Sequence, residues 1–201
     1  MPHKPGLDHK AVVDAALELL DSGGSAALTL NRLANKLGIR PPSLYNHIDG
    51  LPGLRRALSL RNAQLLGDRL SQAAIGKSGA QAVLALAEAY RAYIKATPGL
   101  YLASLRASGN QPEASEDLRT AEQRLVAVCL AALAAFGLED EDGLHAVRGL
   151  RSLVHGFATL EIAGGFGLPL DCDESFRRLV MMFVRGLDAA GEKKATAGST
   201  T

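Results

Sequence analysis

The stretch Arg40-Pro41-Pro42-Ser43-Leu44-Tyr45-Asn46-His47 gathers a guanidinium, a hydroxyl, a phenol, an amide and an imidazole within eight residues. Leu44 and Ile48 stand four apart and point inward. Arg40, Pro41, Ser43, Tyr45, Asn46 and His47 are then left outside as a short surface of donors, acceptors and apolar groups. Such a surface can read base edges and phosphates. Tyr45 and His47 have two readings, a contact to the nucleic-acid backbone through hydroxyl or imidazole, or local packing and capping.

A second group of chemically able residues lies further on. Tyr90, Tyr93 and Tyr101, three of the chain's four tyrosines, fall within twelve residues. Aromatic hydroxyls at the rim of an apolar cavity orient ligands, and the alternative is packing between helices with the hydroxyls in water. His155, beside Gly156 and Phe157, reads as a buried hydrogen-bonded histidine or as a ligand contact. Met181-Met182-Phe183 reads as interface or core, with Met181 also able to adapt to a ligand. No metal site is expected: His145 and His155 are ten apart, and no carboxylate follows His155 at three or four residues. Glu139-Asp140-Glu141-Asp142 suits a helix N-terminus and lacks the alternating ligands and closing Glu of a calcium loop. Cys129 and Cys172 have no Cys-x-x-Cys companion and read as free thiols of a reducing cytoplasm. A phosphate-cradling glycine loop, a paired Glu-x-x-His and a nucleophile elbow are all missing, so the rival reading as a helical-bundle enzyme or small-molecule carrier has no convergent groups, and no cofactor is expected.

The elements that must position these residues are helical. β-branched alternation never lasts, while Ala and Leu recur at three- and four-residue spacing, so the expected fold is all-α with about nine helices. Asp8 caps a first helix whose Val12, Ala15, Ala16, Leu19 and Leu20 share a face, and Gly23-Gly24 ends it near residue 22. A short helix starts at Thr29 or Asn31 and stops at Gly38. Paired prolines fit only a helix's first turn, so a two-turn helix starts at about Pro41. Longer helices are expected over 51–75, 80–96, 99–107, 113–136, 141–163 and 173–190, with breaks at Gly76-Lys77-Ser78-Gly79, Pro98-Gly99, Gly109-Asn110-Gln111-Pro112, Gly137 and 164–169. Residues 1–50 form a helix-turn-helix domain, 51–190 a larger helical domain, and 191–201 a disordered tail.

Charge follows the same division. The 201 residues are 47% apolar with a net charge of only +1, which excludes a polycation and a disordered acidic or basic tail protein. The first 70 residues hold nine Lys/Arg and six Asp/Glu, against thirteen and fifteen in the remainder. A basic module (+3) thus precedes an acidic body (−2). The start of the chain is polar without an apolar leader core, and no run of about 18 apolar residues occurs, so a cytoplasmic protein with no membrane span is expected. Leu144, Val147, Leu150, Leu153, Val154, Phe157 and Leu160 make one wide apolar face, and Phe176, Leu179, Val180, Phe183 and Leu187 another. One body cannot readily bury both, so Leu150, Phe157, Leu160, Phe176, Leu179, Phe183 and Leu187 are expected to meet a twofold mate in a four-helix bundle.

Leu33-Ala34, Leu37-Gly38-Ile39 and Ser43-Leu44-Tyr45-Asn46-His47-Ile48, followed by Leu54, resemble the N-terminal domain of the tetracycline-repressor family of bacterial transcription regulators. The resemblance covers about residues 8–58. It implies a homodimer whose three N-terminal helices bind a pseudo-palindromic operator in double-stranded DNA. A larger domain, holding a small-molecule pocket and the dimer interface, would release the DNA on binding an apolar effector. It puts Arg40, Pro41, Ser43, Tyr45, Asn46 and His47 on the recognition helix and Thr29 and Asn31 where the second helix meets phosphate. It further implies a cytoplasmic, nucleoid-associated regulator that acts most often as a repressor. Family members usually carry a Lys before the fourth helix to reach a phosphate, whereas this chain has Leu51-Pro52-Gly53; the helix-start N–H groups, Arg55 and Arg56 are the nearest substitutes. Tyr90-Arg91-Ala92-Tyr93, Pro98-Gly99-Leu100-Tyr101 and Val154-His155-Gly156-Phe157 are similar to a C-terminal domain type of this family marked by a Trp before a His-Gly pair, and here that Trp is absent. Tyr90, Tyr93, Tyr101, His155, Phe157 and Met181 are the candidate effector contacts.

Overall fold

A computed structural model describes residues 7–107, 115–138 and 140–198. The break at Gly109–Pro112, the acid Glu139 and residues 199–201 lie outside the described residues. Among the described residues there is no strand. The elements run α1 (His9–Ala27), α2 (Leu30–Leu37), a 3-10 segment (Pro41–Asn46), α3 (Gly50–Ala74), α4 (Gly79–Ala96), α5 (Pro98–Ala107), α6 (Glu116–Leu133) with a 3-10 turn at Ala134–Phe136, α7 (Asp140–Ile162) and α8 (Cys172–Gly198). The chain divides into two compact units, Met1–Gln64 with Thr97–Thr120, and Leu65–Ala96 with Ala121–Thr201.

In the first unit α1 begins where Asp8 Oδ1 accepts the Ala11 N–H at 2.7 Å, satisfying one of the donors a helix start leaves open. Val12, Val13, Ala15, Ala16 and Leu20 are buried along one face. The break expected at Gly23-Gly24 is present, with Gly24 at φ 62° and ψ −165°, and the helix resumes as far as Ala27. Thr29 caps α2, its Oγ1 accepting the Arg32 N–H at 3.2 Å. Gly38, left-handed at φ 70°, closes α2 with bonds back to the Ala34 and Asn35 carbonyls, a conformation glycine adopts without a side-chain penalty. This unit is larger than the expected 1–50 because α5 packs on α1. Gly99 sits so close to α1 that a Cβ there would lie 2.6 Å from the Leu20 carbonyl oxygen. The buried Ser59 hydroxyl of α3 donates to the Ser104 carbonyl of α5 at 3.5 Å.

In the second unit α4 packs on α7 and α8. Its buried face carries Val83, Leu86, Tyr90 and Ile94; α7 adds Ala146, Leu150, Val154 and Ala158, and α8 adds Phe176, Val180, Val184 and Leu187. These spacings of three and four give each helix one apolar stripe. Asp140, Glu141 and Asp142 occupy the first turn of α7, where the helix dipole favours negative charge. Asp171 Oδ1 accepts the Glu174 N–H at 2.7 Å and so starts α8. That helix continues to Gly198 instead of ending at 190, so the expected tail is helical through Gly198. Gly191 explains part of this extension. It packs so closely against the Phe136 backbone that a Cβ there would collide with the carbonyl oxygen, and the residues after it include the good helix formers Glu, Lys and Ala. Among the described residues no single helix is long and apolar enough to cross a membrane.

Candidate nucleic-acid interface

The two-turn helix expected from Pro41 is a six-residue 3-10 segment. Pro41 and Pro42 remove two N–H donors at its start. The Ser43 N–H bonds to the Arg40 carbonyl at 2.9 Å and the His47 N–H to the Leu44 carbonyl at 2.9 Å, both reaching back three residues. That tighter winding still sends Leu44 and Ile48 into the core, where both are buried. Burying Leu44 contributes on the order of 2 kcal/mol. Arg40 precedes the prolines in extended conformation (φ −79°, ψ 144°), as the residue before a proline prefers.

The outward residues are placed as the spacing requires. Arg40, Tyr45 and Asn46 are exposed, and Pro41, Ser43 and His47 half-buried. Tyr45 is 61% exposed, which excludes the reading of its ring as a core plug. On α2, Thr29 and Asn31 are both exposed at the helix start, and the Thr29 hydroxyl is engaged as the cap. Leu51 is half-buried in the first turn of α3. Of the two nearby arginines, Arg55 is exposed, while Arg56 bonds to Asp49 at 3.5 Å. Lys36 of α2 is tied to Glu18 of α1 at 2.6 Å, so its charge is partly answered within the unit.

The candidate effector residues belong to both units. Tyr101 belongs to the first unit and is only 1% exposed, whereas Tyr90 and Tyr93 belong to the second and are buried in α4. His155 and Met181 are half-buried. Burial, then the Arg151 charge, lowers the His155 pKa below the ordinary 6.5 and favours the neutral ring. The Phe157 ring meets Phe166 at a tilt and Phe176 edge-on, at centroid distances of 4.7 and 5.0 Å. Along α6, Leu125, Val126, Cys129 and Leu130 are half-buried, and burial pushes the Cys129 thiol up to about 11. Both cysteines are free.

The expected partner-facing residues fall into three groups. Leu150, Phe176 and Leu187 are buried within their own unit; they are core of a single chain and offer a mate no surface. Phe157, Leu179 and Phe183 are half-buried. Leu160 is 52% exposed, and Leu144 and Met182 are similarly open.

Sequence reasoning passed over one cluster. Arg91, only 8% exposed, donates through Nε and Nη2 to the two carboxylate oxygens of Glu161, both at 2.7 Å. Its Nη1 lies 2.7 Å from Asp173, and Lys95 reaches Glu161 at 2.6 Å. The guanidinium carbon stands 5.4 Å from the Phe157 ring centre and 4.9 Å from that of Phe176, within cation–π range. Glu161 is held below the ordinary carboxylate value by its bond to Arg91 and then, against the burial penalty, by Lys95. A signal existed, since Arg91 follows Ala87 by four and Glu161 follows Val154 by seven, each placing a charge on an apolar helix face. Among the described residues no three His, Cys, Asp or Glu side chains are grouped to hold a metal ion.

Residues 83–183 match the family model described as a tetracyclin repressor-like C-terminal domain. The chain is 36% identical over 196 residues to the uncharacterized HTH-type transcriptional regulator Rv0681 of Mycobacterium tuberculosis, covering 96% of this chain and 86% of that one. It is 35% identical over 189 residues to the uncharacterized HTH-type transcriptional regulator YobS of Bacillus subtilis, covering 93% and 96%. Among solved structures, a TetR variant from Acinetobacter baumannii in complex with minocycline shares the fold at a TM-score of 0.69 and 22% identity, covering 92% of this chain and 98% of that one.

Proposed function

Since the chain belongs to the tetracycline-repressor family of helix-turn-helix transcriptional regulators, we propose that it is a dimeric repressor that reads a pseudo-palindromic operator and is released by a small, largely apolar effector. The observation that supports DNA reading best is the 3-10 segment. Buried Leu44 and Ile48 anchor it, and Arg40, Tyr45 and Asn46 stand in solvent with Ser43 and His47 beside them. Thr29 and Asn31 at the start of α2 supply a second contact to the backbone of the duplex, next to the N–H groups that a helix start offers to phosphate. Leu51 brings no charge, so the number of phosphate contacts per subunit is small.

The effector binds among the helices of the second unit, where α6 carries a half-buried apolar row and α4 carries Tyr90 and Tyr93. The minocycline held by the Acinetobacter relative is consistent with an effector of that size. The effector acts by favouring one of two spacings of the paired reading segments, a population shift that needs differential affinity for the two states. α3 carries the coupling, because its residues belong to both units. Dimerisation uses the exposed face of α7 and α8 around Leu160 and Met182, with Leu179 and Phe183 beside them. The regulator works in the cytoplasm on nucleoid DNA.

The test is binding to duplexes selected from random DNA. Affinity should fall steeply with salt, and deleting residues 29–48 should abolish it. Undiminished binding by the deletion variant, or salt-independent binding, would overturn the reading.

A further inference from the structure

Residues 162–170, which lead from the end of α7 towards α8, carry no charge and are exposed throughout. Phe166, Leu168 and Leu170 stand 40, 73 and 68% open. The segment has a fixed shape all the same. The Gly164 and Gly165 N–H groups bond back to the Glu161 and Leu160 carbonyls at 3.1 and 2.8 Å, and the Leu170 N–H reaches the Leu168 carbonyl across Pro169 at 2.8 Å. Arg91 pairs with Glu161 before the segment and with Asp173 after it, so both of its ends are tied to α4. The Phe166 ring meets Phe157 at 4.7 Å, and the Arg91 guanidinium lies over Phe157 in turn. An apolar projection held in this way marks a contact surface, and its fixed shape lowers the ordering cost of binding.

We propose that residues 162–170 pack against a second copy of this chain as the outer part of the dimer face. This contact rests on, and extends, the dimerisation through α7 and α8 given above. The segment is continuous with that face, for a Cβ at Gly165 would lie 3.3 Å from Leu160 Cδ2, and Ile162 is the last residue of α7. Leu160, Ile162 and Met182 are each only partly exposed, too little apolar surface for the ~800 Å² that each partner of a stable interface buries. Phe166, Leu168 and Leu170 double the number of such side chains. Around the segment Arg91, Lys95, Arg177 and Arg178 answer Glu161, Asp173 and Glu174. Asp171 has no cation partner among the described residues. The charges therefore balance, with no surplus of cations to draw an anionic lipid surface. Arg148 and Arg151 of α7 are exposed and have no carboxylate partner among the described residues, so a second copy brings both apolar surface and the cation that Asp171 lacks.

Sedimentation equilibrium on the full chain tests this. The double variant Leu168→Ser, Leu170→Ser should keep its helical signal and urea midpoint, because both side chains lie in solvent, and should raise the dimer dissociation constant by about tenfold or more. An unchanged constant would overturn the loop contact and leave the helix face standing. A dimer that survives Leu160→Glu, Met182→Glu but not the loop variant would uphold the loop and remove the helix face. A parent chain that is monomeric at every concentration would overturn both. The chain has no tryptophan, so Leu168→Trp adds a single emission reporter. Its emission should be blue-shifted where the chain is dimeric and should redden on dilution through the dissociation constant. Solvent-like emission in the dimer, or a blue shift that appears only with phosphatidylcholine vesicles, would overturn the contact with a second copy.

Discussion

Arg40 and Tyr45 differ in what each can give to DNA. Arg40 carries a permanent charge, so Arg40→Gln should reduce the slope of log affinity against log salt by about one if it neutralises one phosphate. Tyr45→Phe removes only a hydroxyl; affinity should fall about fivefold, the worth of one hydrogen bond, with the slope unchanged. Fluorescence anisotropy on one duplex across a salt series distinguishes the two. Arg91 belongs to this scale as well, for its guanidinium is buried and answered mainly by Glu161. Glu161→Ala should destabilise the protein by about 3 kcal/mol by leaving a buried charge underpaired, read from the urea midpoint. The sign of its pH dependence follows from the lowered carboxylate value. The stability Glu161 contributes is complete above the ordinary 4.5 and is lost as pH falls through the lower folded value. Glu161→Gln should therefore flatten the acid limb of stability against pH, and an unchanged limb would contradict the pairing.

At the scale of the element, the ends of helices were legible because their signals are local. Asp8, Thr29 and Gly38 each act within five residues, and each does in the structure what its type requires. Other features depend on distant partners and were not legible. Glu161 meets Arg91 across 70 residues of chain, and Gly99 meets Leu20 across the α1–α5 contact. The Pro41-Pro42 pair correctly marked a helical start but left the winding open, because the N–H groups it removes are unbonded at the start of either kind of helix. Tyr101 shares sequence proximity with Tyr90 and Tyr93, yet Thr97 begins a segment that packs in the other unit. The α1–α5 contact yields a prediction. Gly99→Ala forces a methyl against the Leu20 carbonyl, with an expected cost of about 1–3 kcal/mol, visible as a lower urea midpoint with the unfolding slope unchanged. A midpoint equal to that of the parent chain would show that α5 can move away without loss.

At the scale of the whole molecule, the near-zero net charge conceals a basic reading region and an acidic body, an arrangement that suits binding DNA through one part only. A palindromic site requires two copies. Leu160 of α7 and Met182 of α8 are among the exposed apolar residues of these helices, with Leu144 and Ile162. The double variant Leu160→Glu, Met182→Glu should sediment as a monomer at micromolar concentration while keeping its helical signal, and a persistent dimer would place the interface elsewhere. If two copies of the Thr29–Ile48 region read a twofold-symmetric duplex, selection of bound fragments from random DNA with the purified protein will recover that symmetry. An inverted repeat should be enriched, with half-site centres about one helical turn, roughly 34 Å, or a multiple of it apart. Fragments that remain random, or enrichment of a single unrepeated half-site, would contradict it.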